Sequence, residues 1–237
     1  MAKLIFDDDE YKQIQRRLDA GLAMPRRVAP LAIISQQAIT ITREADNTLR
    51  WSAIAAVAAV NRVGEIDSTE LFTNFVSHAK LTGDLPDLIF HHLWSGLPKL
   101  ERMSEAQKYN VELARRELAR ITNEEMANEM IVSGNDNHWL NFRLGWADEV
   151  FRAGYTYVAV GTLDVSNPFT HIIAARFKTE PTYYGTSIGY QPMGEPQLVR
   201  SEKSANFVAV YNNGINHEIS VLPERYAASV LTQVKVN

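Results

Sequence analysis

Hydrophobic positions along the chain fall into runs of different period. Asp7-Asp8-Asp9-Glu10 precedes Tyr11, Ile14 and Leu18, a spacing that predicts a short amphipathic helix with acidic groups at its positive end rather than a cation site. Ala38 to Thr42 alternates as a strand does, and Ala45-Asp46-Asn47 predicts a turn before Leu49 and Trp51, hence a local hairpin. From Trp51 to Val63, alanines at 53, 55, 56, 58 and 59 with Ile54, Val57 and Val60 leave almost no polar face. That run predicts a helix buried on all sides or a subunit interface.

Asp67-Ser68-Thr69-Glu70 reads as a capping box before a stripe of Leu71, Phe72, Phe75 and Val76. A further helix is predicted from Leu85 to Trp94. Ser104-Glu105-Ala106-Gln107 is a second capping box, and Val111, Ala114, Leu118 and Ile121 continue it to a break near Thr122-Asn123-Glu124-Glu125. A last helix is expected over Trp139 to Phe151, closed by Gly154 at C′. Beyond it, Tyr155 to Leu163 and Phe169 to Phe177 read as strands joined by the turn-rich Asp164 to Pro168. Asn213-Gly214 predicts a type I′ hairpin that pairs Val210 with His217 and Val208 with Ile219. Pro223-Glu224-Arg225 starts a short helix, and Leu231 to Val236 reads as a final strand.

The expected class is therefore α+β, with a mainly helical part over residues 1–153 and a mainly antiparallel β part with a short C-terminal helix over 154–237. Charge supports the division: the first part carries 18 basic and 22 acidic side chains, the second 6 of each. Ala, Leu, Glu and Arg dominate the former, and Tyr, Val, Thr, Asn and Gly the latter.

Composition mainly excludes. The 237 residues hold no Cys, so disulfides, thiol nucleophiles, iron–sulfur clusters and Cys-based zinc sites are absent. The net charge of −4 disfavours a phosphate backbone as partner. Arg26-Arg27 and the Arg115, Arg116 and Arg120 group are not interleaved with aromatics, and the latter three should pair with Glu112, Glu117 and Glu124 on a solvated face. The N-terminus has neither signal-peptide nor transit-peptide order, and Trp51 to Val60 is too short to span a bilayer. These features point to a soluble protein, cytoplasmic or carried in a virion.

No phosphate-cradling loop is present. Gly185-Thr186-Ser187-Ile188-Gly189 matches the nucleophile elbow of serine hydrolases, with Glu195 and His217 following in order and Asp164 as another candidate acid. The flanking prolines resist the helix that an elbow requires, so the segment reads as a glycine-rich loop. His91 and His92 are adjacent and diverge on a helix; His78, His138, His171 and His217 stand alone, and no metal motif or cofactor site results. His217 reads as a partly buried, hydrogen-bonded residue.

Seven of nine tyrosines lie beyond residue 154. Tyr-rich, charge-poor surfaces are typical of interface cores, which nominates Tyr183, Tyr184 and Tyr190, together with Ala55, Ala56 and Ala59 of the Ala-rich run. The expectation is a non-enzymatic assembly protein that forms homo-oligomers or docks a protein partner, for instance a viral or phage capsid, connector or tail component. The alternatives are a small serine hydrolase using Ser187, or a carbohydrate- or nucleotide-binding module.

Overall fold

The computed structural model describes residues 39–43, 48–59, 61, 64–180, 183–200 and 207–227. Strands β1 (Ile39–Arg43), β2 (Leu49–Val57) and β3 (Glu65–Asp67) come first, then α1 (Thr69–Thr82) and β4 (Asp87–Phe90). Helices α2 (Glu105–Ile121) and α3 (Glu124–Asp136) follow, then β5 (Arg143–Ala153), β6 (Thr156–Leu163) and α4 (Pro168–Thr179). The chain closes with β7 (Tyr184–Pro192), β8 (Gln197–Arg200), β9 (Phe207–Tyr211) and β10 (Gly214–Pro223). Seven strands form one sheet in the order β1-β2-β6-β5-β4-β10-β7, and β3-β9-β8 form a second. The β4–β10 and β3–β9 pairs are parallel and the others antiparallel. The large sheet curls until edge strand β7 meets β2, where the Thr186 hydroxyl donates to the Ile54 carbonyl at 2.7 Å.

The division into a helical first part and a β second part is thereby overturned. Among the described residues, helices occupy the middle and strands dominate both ends. The Ala-rich run begins as a strand whose residues from Ala53 to Val57 are all apolar, so that stretch lacks the apolar–polar alternation by which a strand is recognised. Leu85 to Trp94 contains β4, and Trp139 to Phe151 is a 3₁₀ turn leading into β5. Gly154 serves a two-residue β5–β6 hairpin, with the φ of 61° that such a turn needs at its first position. Residues 169–177 belong to α4, because Asn167 caps the Phe169 N–H and Pro168 takes the first helical position.

Asn213-Gly214 does separate two strands, but they enter different sheets. Both edges of β10 are taken, by β4 and β7, so β9 pairs with β3 and β8, and the expected pairs of Val210 with His217 and Val208 with Ile219 do not form. Pro223 leads into a 3₁₀ turn rather than a helix. The strand at 39–43, the strand at 156–163, the Ser68 cap of α1, the capping box of α2 and the break between α2 and α3 agree with the reading of the sequence. The helix expected at 7–18, the turn at 45–47, the Arg26-Arg27 pair and the strand at 231–236 lie outside the described residues.

One core holds the molecule together. From α1, Phe72 stacks on Tyr157 of β6, and Phe75 meets Tyr157 and Tyr190 edge-on or tilted. Phe90, Phe142 and Phe169 cluster similarly beside α4. Each such ring contributes about 1.5–3 kcal/mol by leaving water. Ile66, Val199 and Val210 form a small satellite core beneath the three-stranded sheet.

Candidate functional site

Beyond β4 the chain turns sharply, and the turn places a histidine over β10. His91 and His92 both adopt left-handed backbone, with φ of 53° and 60°, a conformation that non-glycine residues seldom take in succession. Hydrogen bonds hold the strain: the His91 N–H donates to the Val221 carbonyl at 3.0 Å, and the His92 N–H to Ser220 Oγ at 2.6 Å. His92 Nδ1 then meets Glu218 Oε1 at 2.5 Å.

Glu218 is only 2% exposed, in the middle of a strand whose other residues are mostly buried. Two features make room for it. Gly189 lies opposite in the β7–β10 register, and a Cβ there would collide with the Glu218 carboxylate. A β-bulge between Asn216 and Glu218 makes His217 the extra residue of β10. Asn216 secures this bulge by donating to the Gly189 and Glu218 carbonyls at 3.0 Å each, while its Oδ1 accepts from the Tyr157 hydroxyl at 3.1 Å. Glu218 Oε2 is buried without a hydrogen-bond partner among the described residues.

Burial works to lower the His92 pKa, but the charge and the hydrogen bond of Glu218 outweigh it and hold the imidazole above the ordinary histidine value. His91 is pushed the other way, to about 3, by burial and then by the neighbouring His92. It is therefore a neutral packing residue, edge-on to Phe90.

Ser187 lies on β7 directly across from Ser220, on the face that also carries Gly189 and Glu218. Directly opposed residues on neighbouring strands have Cβ atoms about 4.5–5.5 Å apart. The candidate nucleophile is thus one cross-strand pair from the serine that anchors the His92 backbone. It is 4% exposed. A cleft of about 570 Å³ opens beside His92 and Glu218, between Gly189 to Pro192, the His217–Glu218 bulge, Trp94 and Leu97, and Gln107 and Asn110 of α2; Ser187, two residues before Gly189 on β7, is not among the described residues that line it.

The segment expected to be a glycine-rich loop is therefore a strand, and no strand–turn–helix elbow surrounds Ser187. Glu195 is exposed in the β7–β8 connection, and Asp164 accepts from the Ser166 N–H and hydroxyl. His217 stacks on Trp94, so the expected Ser187, His217 and Glu195 set is not brought together. Tyr184 is buried, and it and Tyr183 donate to Glu117 at 2.9 and 2.8 Å. Tyr190 donates to Asp67 at 2.8 Å, and Ala55, Ala56 and Ala59 are buried within the chain's own fold. Burial, followed by opposition from the Tyr190 hydrogen bond, leaves the Asp67 carboxyl at about 6.

Sequence reasoning missed His92 and Glu218. The available signal was an acidic residue in a strand that carries Ile215, Ile219, Val221 and Leu222, since a carboxylate is almost never fully buried unless paired. Among the described residues no group of three or more His, Asp or Glu could hold a metal ion. None of their helices is long and apolar enough to cross a membrane. The chain matches no family model, no curated protein and no solved structure.

Proposed function

We propose that the protein is a serine hydrolase of acyl compounds in which Ser187 is the nucleophile, His92 the general base and Glu218 the group that orients it. The carrying observation is the His92 Nδ1 contact with the buried Glu218 carboxylate, on the sheet face that bears Ser187. A carboxylate on Nδ1 fixes the tautomer that leaves Nε2 free to accept a proton, which is the logic of a Ser–His–acid triad whatever the chain order. The cleft favours an uncharged substrate: its only carboxylate faces His92, and no Lys or Arg is among the described residues that line it. Gln107, Asn110 and Gln191 add three carboxamides suited to the hydrogen bonds of a peptide backbone, so a peptide bond is the favoured target.

In the reaction, Ser187 Oγ attacks the acyl carbon while His92 Nε2 takes its proton, and the carbonyl electron pair moves onto oxygen. Collapse expels the amine, which leaves with the proton from His92. Water, deprotonated by His92, then attacks the acyl-enzyme, and Ser187 Oγ departs with that proton. A fluorophosphonate probe should label Ser187, with labelling lost in Ser187→Ala and His92→Ala. An unlabelled parent protein sinks the proposal.

A second reading, self-association or docking of a partner as in a virus or phage particle, draws on the three-stranded sheet. Leu198 and Phe207, 58% and 63% exposed, lie on β8 and β9, and β8 is an edge strand. Its test is the mass in solution by light scattering across a wide concentration range; a strict monomer that binds no partner speaks against it.

A further inference from the structure

We infer that Trp94 and His217 form a stacked wall of the cleft that sets the size of the substrate side chain admitted beside the His92–Glu218 pair; this rests on the hydrolase reading above. The two rings are almost parallel, at 8°, with centroids 5.2 Å apart. His217 reaches Trp94 because the bulge makes it the extra residue of β10, immediately before Glu218. Gly96 lies so close to the six-membered ring of Trp94 that a Cβ there would collide with it. The indole is thus flanked by Gly96 and His217, and both rings line the cleft together with Leu97 and Pro192. A stacked aromatic wall discriminates by size, because a larger side chain must displace a packed ring, whereas a smaller one merely leaves space.

Nothing in the triad itself requires either ring. The wall stands beside the proposed base and its partner: Trp94 is two residues after His92, and His217 immediately precedes Glu218. Trp94 is therefore a specificity residue, and its replacement acts on the choice among substrates.

The test uses the full chain and a pair of peptidyl diphenyl phosphonates that carry Ala or Phe at the reacting position, with covalent labelling followed by intact mass. The Phe-to-Ala ratio of labelling rates is taken within each variant, so differences in the amount of active protein cancel. The parent should favour Ala, Trp94→Ala should shift the ratio toward Phe by about tenfold or more, and Trp94→Phe should restore a ratio close to the parent's. His217→Ala, which removes one bracket of the indole, should shift the ratio in the same direction by a smaller factor. A ratio unchanged in Trp94→Ala overturns the inference. A parent labelled at Ser187 by a fluorophosphonate but by neither phosphonate also overturns it and leaves the hydrolase reading standing. A parent that no probe labels overturns both.

Discussion

His92 must be neutral to accept the Ser187 proton, and Glu218 holds its pKa above the ordinary value of 6.5. Activity is therefore expected to fall on acidification through a midpoint above 6.5, as the imidazole becomes charged. Glu218→Gln removes the charge that outweighs burial, so the midpoint should move down, while kcat drops by about 10²–10⁴-fold because the ring loses its orienting partner. A pH–rate profile measured on both proteins checks this; an acid limb that does not move contradicts the role given to Glu218. The same pair carries a stability term of known sign. With its folded pKa raised, His92 contributes stability that is present below the unfolded value and lost as pH rises through the folded one.

At the scale of elements, β3, α1 and β7 are joined at Asp67. Asp67 ends β3 just before the Ser68 cap of α1, and it accepts from Tyr190 of β7. Burial lifts its pKa from 3.8 to about 6, so the protonated form is the one the fold prefers. Its favourable contribution is complete below 3.8 and is lost as pH rises through about 6. Asp67→Asn keeps an acceptor for the Tyr190 hydroxyl and avoids a buried charge. Relative to the parent, it should gain about 3 kcal/mol in unfolding free energy between acid and neutral pH, checked by denaturant titration at a series of pH values. No relative gain would mean that the ionised carboxylate is well solvated or fully paired.

The whole molecule depends on contacts between residues distant in the chain. The curl of the large sheet brings β7 to β2, and the β4–β10 pair joins segments more than a hundred residues apart. The candidate site exists only through that closure, because His92 follows β4 while Glu218 and Ser187 ride on β10 and β7. The Leu198 and Phe207 face is where the assembly reading meets the most exposed large apolar side chains on the described strands. If that face mediates association, light scattering should show a larger mass for the parent than for Phe207→Asp. Equal monomeric masses would remove this face from consideration.

Local sequence determined the features with local causes. Ser68 and Ser104 cap helices because their hydroxyls accept N–H groups three residues on, and the break after Ile121 follows from the Asn123 cap of α3. The absence of Cys and the strands at 39–43 and 156–163 were likewise legible. Tertiary structure decided the rest, for identifiable reasons. From Ala53 to Val57 every residue is apolar and no polar phase remains, so this stretch could not be distinguished from a buried helix by periodicity. A hairpin signal at Asn213-Gly214 specifies a turn but not the partners that compete for each strand edge, and β4 and β7 took both edges of β10. Adjacent histidines diverge on a helix, yet left-handed backbone at His91 and His92 aims one of them at a carboxylate 126 residues away. The pattern of side chains along a chain encodes which surfaces seek burial, whereas sheet register decides which functional groups meet.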